Sequence, residues 1–96
     1  MEISVAVRFV GSLRNLAGKS KITLKFEKNT SIREVVKRIT EKFPEMGKAI
    51  IDPELSDPRP NTLIIVNGKE ISVLNGLETL LTNGDEVVFV PVSHGG

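Results

Sequence analysis

The residue types that usually carry chemistry are scarce in this chain. Its 96 residues include no cysteine and one histidine, His94. Without thiols there is no disulfide, thiolate metal site, cysteine nucleophile or persulfide carried on a side chain. His94 cannot build a metal site alone, and no group near it in sequence would orient it for proton transfer. Asp52, Glu54, Asp57, Asp85 and Glu86 could in principle supply a general acid and base. They stand among prolines and glycines without a His, a Cys or metal-ligand company, which is the setting of turn formers.

One segment imitates a phosphate-binding loop. Gly11-Ser12-Leu13-Arg14-Asn15-Leu16-Ala17-Gly18-Lys19-Ser20 comes after an apolar run and ends in Gly-Lys-Ser, but six residues separate its glycines. A phosphate loop has four there, so that backbone N–H groups curl around the phosphates, and it then opens a helix. The residues after Ser20 alternate like a strand, so the segment reads as a connection. The remaining reactive group is the end of the chain itself, Val92-Ser93-His94-Gly95-Gly96, whose last two positions carry a carboxylate and no side chains. Ends of small residues commonly fray. What gives this one meaning is the scaffold behind it.

In Ile3-Ser4-Val5-Ala6-Val7-Arg8-Phe9 every second residue is large and apolar, the period of a strand with one buried face. Gly11 breaks the pattern, and Ser12 to Ala17 reads as a helical turn placing Leu13 and Leu16 inward. Alternation resumes in Lys21-Ile22-Thr23-Leu24-Lys25-Phe26, so the first two strands form a hairpin. Ser31, three residues before Glu34, provides a capping box. The helix it starts repeats Ile32, Val35, Val36, Ile39 and Phe43 along one stripe of a 3.6-residue period, with Arg33, Glu34, Lys37, Arg38 and Glu41 opposite. Pro44 ends it.

Residues 45–61 carry Pro53, Pro58 and Pro60 and read as a surface crossing with one turn around Ala49 to Ile51. Leu63 to Val66 is a strand, and Asn67-Gly68 suits a type I′ hairpin turn leading to a return strand through Ile71 and Val73. Leu77, Leu80 and Leu81 suggest a tight helical turn before Asn83-Gly84-Asp85. Val87-Val88-Phe89-Val90 is the last strand. It is apolar at both parities, so either Val88, Val90 and Val92 or Val87 and Phe89 face outward, as a contact surface or under a neighbouring loop.

The order β-β-α-β-β-β, with one amphipathic helix that must lay its stripe on a sheet, predicts an α+β roll: a mixed sheet packed on one main helix. At this length one domain is expected, covering residues 1–92, with 93–96 as a flexible Gly-Gly tail. Thirteen basic and twelve acidic residues leave a net charge of +1. No basic concentration points to nucleic acid, and no apolar run approaches a membrane span or a secretory leader. A soluble, cytoplasmic protein is the expectation.

Three features stand together: Arg14 to Gly18 after the first strand, Gly84-Asp85-Glu86-Val87 before the last, and Phe89 to Pro91 with Gly95-Gly96 beyond. With this strand order they make the whole chain resemble the small subunit of molybdopterin synthase and the related thiamine-type sulfur carriers, which are ubiquitin-like. Where that family often has two adjacent prolines, this chain has Pro91 and then Val92-Ser93-His94. The resemblance implies a β-grasp roll and a carrier that is not itself an enzyme and binds no cofactor. An adenylyltransferase of the ubiquitin-activating type would consume ATP to convert Gly96 to an acyl adenylate, and a sulfur donor would then displace AMP. Lacking any thiol, the chain would hold the sulfur as a thiocarboxylate on Gly96. Ser93, His94 and Gly95 would thread into the partner, where glycine's small size and backbone freedom help. The implied receiver is the large subunit of molybdopterin synthase. The implied docking surface is the outer sheet face, with Val10, next after the inward Phe9, and Val90. A protein modifier that forms isopeptide bonds through the same terminus, and a plain binding module of this fold, are the competing readings.

Overall fold

The computed structural model describes residues 2–92. Strand β1 (Ile3–Phe9) buries Ile3, Val5, Val7 and Phe9, as the alternation requires. It pairs antiparallel with β2 (Lys21–Phe26), Ile3 opposite Phe26 and Arg8 opposite Lys21. The glycines that imitate a phosphate loop flank a short helix, α1 (Ser12–Ala17), capped by Gly18 in the left-handed region at φ 77°. Leu13 is buried there, but its inward companion is Ala17, while Leu16 is 42% exposed. One helical turn stacks i on i+4, so the expectation for Leu16 is off by one position.

Helix α2 (Ile32–Lys42) is the main helix. The Ser31 hydroxyl accepts the Glu34 N–H at 3.3 Å, capping it, and Ile32, Val35, Val36 and Ile39 face the sheet. It ends before Pro44, but Pro44 also opens a second helix, α3 (Pro44–Ile50), in place of the expected surface crossing. Proline at the first helical position lacks only an N–H that would have no partner within the helix. Met46 and Ile50 from α3 are fully buried, so this helix adds to the core. Phe43, between the helices, meets the Phe9 ring edge-on with centroids 6.0 Å apart.

β4 (Thr62–Val66) turns through Asn67 and Gly68, both at positive φ (48° and 87°), into β5 (Lys69–Glu70). The type I′ turn forms, but the return strand stops after two residues. Ile71–Val73 is a 3₁₀ turn that buries Ile71 and leaves Val73 72% exposed, because the Glu70 carboxylate accepts the Ser72 N–H and bends the chain. A further 3₁₀ turn, Gly76–Glu78, buries Leu77. Leu80 and Leu81 are not helical as expected. They form β6 (Leu80–Leu81), paired with β3 (Thr30–Ser31) in a small separate sheet, with Leu81 buried and Leu80 exposed.

The last strand, β7 (Glu86–Pro91), occupies the centre of the main sheet, whose order is β2-β1-β7-β4-β5. It runs parallel to β1 and antiparallel to β4. This is the mixed sheet on one main helix that the pattern predicts, an α+β roll, with α3 as an addition.

Candidate functional site

The phase of β7, open from its composition, is settled by its neighbours. Val87 and Phe89 are fully buried against the helices, and Val88 and Val90 face outward, half-buried. Register places Val88 beside Ile65 and Val90 beside Leu63. Since side chains two apart share a face, these four form an apolar quartet on the outer side of the sheet. Val10, 44% exposed, extends it at the end of β1, where its N–H donates to the Phe89 carbonyl at 3.1 Å. Val92, 41% exposed, extends it where the chain leaves β7. Arg8, beside Val88, pairs with Glu86 at 3.8 Å and forms a polar margin. The face therefore combines an apolar centre with a charged rim.

The exit is built by close packing. Gly11 has φ +62°, and a Cβ there would come within 3.3 Å of the Pro91 ring. A side chain at position 11 would thus push against the end of β7 as well as strain the backbone. On the opposite side the Val92 N–H donates to the Asn61 carbonyl at 2.9 Å. The loop bearing Asn61 is braced by Asp57, whose carboxylate accepts the Arg59 N–H at 2.8 Å and its guanidinium at 2.5 Å. That guanidinium holds the Asp57 carboxyl below the ordinary carboxylate range against the opposing effect of burial, and the Arg59 pKa is raised in return.

At the entry to β7, the Gly84-Asp85-Glu86 segment joins three strands. The Gly84 N–H donates to the Ser4 carbonyl, and the Asp85 carbonyl accepts from the Ala6 N–H. The Asp85 carboxylate accepts from the Thr82 N–H at 2.8 Å and the Asn67 side-chain amide at 3.0 Å, while the Asn67 amide oxygen accepts the Glu86 N–H at 2.9 Å. Asp85 and Glu86 thus act as structural polar groups, in keeping with their turn setting. Asp52 does likewise, accepting from the Glu54 and Leu55 N–H groups. The Asn67–Asp85 bond lies across 18 residues of sequence, so only pairing of β4 with β7 reveals it.

Val10 and Val90 are brought together on one face, adjoining the exit. Ser93, His94, Gly95 and Gly96, expected to carry the chemistry, lie outside the described residues, as does the predicted tail 93–96. Among the described residues no three His, Cys, Asp or Glu side chains gather as metal ligands, and no helix is long and apolar enough to cross a membrane.

A mixed sheet wrapped on one main helix, with the C-terminal strand at its centre, defines a ubiquitin-like β-grasp protein. The ThiS family matches residues 7–96, and the chain belongs to this family of ubiquitin-like sulfur carriers. Small archaeal modifier protein 3 of Haloferax volcanii is 27% identical over 95 residues, covering 97% of this chain and 100% of that protein. The solved structure of small archaeal modifier protein 1 from Methanosarcina acetivorans matches with TM-score 0.83 and 31% identity, covering 100% of this chain and 99% of that one. A putative molybdopterin converting factor subunit 1 from Pyrococcus furiosus matches with TM-score 0.76 and 19% identity over 95% of this chain and 99% of that one, a likeness in fold.

Proposed function

We propose that the chain works through the C-terminal carboxylate of Gly96, which a ubiquitin-activating-type adenylyltransferase couples to ATP. The carboxylate attacks the α-phosphorus, pyrophosphate leaves, and the acyl adenylate forms. A sulfide donor then attacks the carbonyl carbon and AMP leaves, producing the thiocarboxylate. The observation that carries this reading is the placement of β7: the central strand ends at Pro91, and the chain passes on through Val92 beside the outward-facing apolar quartet. In the first reading the thiocarboxylate delivers its sulfur within the large subunit of molybdopterin synthase, to a pterin dithiolene, with Val10 and Val90 at the interface. Gly96 is then a carrier, and the partner's groups perform the transfer.

A second reading, conjugation of Gly96 to a target lysine through an isopeptide bond, is favoured by a specific observation. The relatives at 27% and 31% identity are both named modifiers. Both fates begin with the same adenylate, so the terminus serves either. A cytoplasmic location follows from the partners each fate needs.

Intact mass after incubation with the adenylyltransferase, ATP and sulfide tests the shared step. A gain equal to exchanging one oxygen for sulfur is expected, and it should vanish when Gly95 and Gly96 are removed. A Val10→Asp, Val90→Asp variant should remain folded, because both side chains face outward, yet lose the modification through failed docking. If the truncated chain is modified equally well, the terminal reading is wrong. Adding the synthase large subunit with a pterin precursor, or a cell extract, then separates sulfur delivery from conjugation.

A further inference from the structure

One edge of the main sheet is left open in a way the tail chemistry does not use. The sheet terminates on one side in β5, two residues long, and on the other in β2, six residues long and paired only with β1 among the described residues. Long edge strands attract pairing, and proteins commonly shorten or cover them. The Phe9 N–H donates to the Ser20 carbonyl at 2.9 Å. With the antiparallel register, this makes Ile22, Leu24 and Phe26 the residues that exchange hydrogen bonds with β1. Lys21, Thr23 and Lys25 therefore direct their backbone groups outward along the edge, the Lys25 carbonyl toward Arg38, which a docking strand would share or displace.

Beside this edge runs a shallow groove of about 560 Å³ lined by Thr23, Leu24, Lys25, Arg38, Glu41 and Lys42. Arg38 spans it: its guanidinium lies 4.4 Å from the Phe26 ring centre and donates to the Lys25 carbonyl at 3.1 Å. The groove itself carries Lys25, Arg38 and Lys42 against Glu41, with Lys21 further along the edge, while Glu2, Glu27 and Glu34 line the neighbouring depression beyond Lys25 and Arg38.

We infer that β2 is a docking edge for an extended acidic segment of a partner protein, which adds as a sixth strand and places alternate apolar residues in the groove beside α2. The outward alternate residues, Asp or Glu, face Lys21 and Lys25, while the inward ones cover Leu24 and the aliphatic stems of Arg38 and Lys42. Charge selects this occupant over a second copy of the chain. Two β2 strands paired antiparallel about Thr23 would set Lys21 against Lys25 at both ends, and like charges directly opposite are destabilising.

The probe is a capped synthetic peptide alternating valine with glutamate, titrated into the full chain labelled for amide NMR. The expected shifts fall on Lys21, Thr23 and Lys25, with the Thr23 amide protected from exchange. A peptide alternating valine with lysine should not bind, and N-methylation of every second residue on the ladder side should abolish binding. Lys21→Glu with Lys25→Glu, both at exposed positions, should weaken binding about 10-fold by turning two cross-strand attractions into repulsions. Four results would overturn the inference: no shift at millimolar peptide, shifts centred on Val10 and Val90, equal binding by the N-methylated peptide, or indifference to charge reversal in a variant whose spectrum shows the native fold.

Discussion

At its entry, β7 is tied by a polar network: Asp85 holds Thr82 and Asn67, Asn67 holds Glu86, and backbone bonds reach Ser4 and Ala6. At its exit the hold is of another kind, with Pro91 resting near Gly11 and backbone bonds from Val92 to Asn61 and from Val10 to Phe89. The entry sets the register of three strands, where a slip by one residue would exchange the buried Phe89 for the outward Val88 or Val90. A single strand thus combines a strongly specified beginning with an end held by fit.

The contrast predicts graded responses. Asp85→Ala removes a charged acceptor shared by two elements and should cost about 2 kcal/mol in urea unfolding. Gly11→Ala, at the exit, should cost about 1.5 kcal/mol from its left-handed backbone, and the amide shifts should gather at Val10 and Val92 and spare Asp85. A shift pattern spreading to the entry would show the two ends to be coupled. The smallest effect belongs to Asp57→Asn, about 0.5–1 kcal/mol at neutral pH. The Asp57 carboxyl is held below its ordinary value of 3.8 chiefly by Arg59, so its contribution is complete above that value and disappears as pH falls through the lowered one. Wild type and variant should therefore converge in acid, which thermal melts across pH would read.

Local pattern made much of this scaffold legible. The α2 stripe and the β1 alternation each place their buried residues by periodicity alone, and Asn67-Gly68 identifies its turn because few residues accept positive φ in succession. Where several outcomes share one local signal, the pattern failed. Pro44 both stops α2 and starts α3, and the prolines further along conceal a helix whose Met46 and Ile50 complete the core. Leu80 and Leu81 form a strand because Thr30 and Ser31 are there to pair with them, a partner invisible at that distance in sequence. The outward quartet needed β4 beside β7 before Val90 could be assigned a face. The β2 edge was legible as a strand but not as an edge, since strand order is a property of the whole sheet.

The parallel pairing of β1 with β7 also bears on how the protein is made. Of the strands, β1 leaves the ribosome first and must wait for β7 before the sheet has a centre, and until then β1 and β4 each face an empty slot. Non-local pairing of this kind defers folding toward completion of synthesis. A nascent chain interrupted before Phe89 lacks most of the central strand, so the finished fold certifies that translation has passed Phe89.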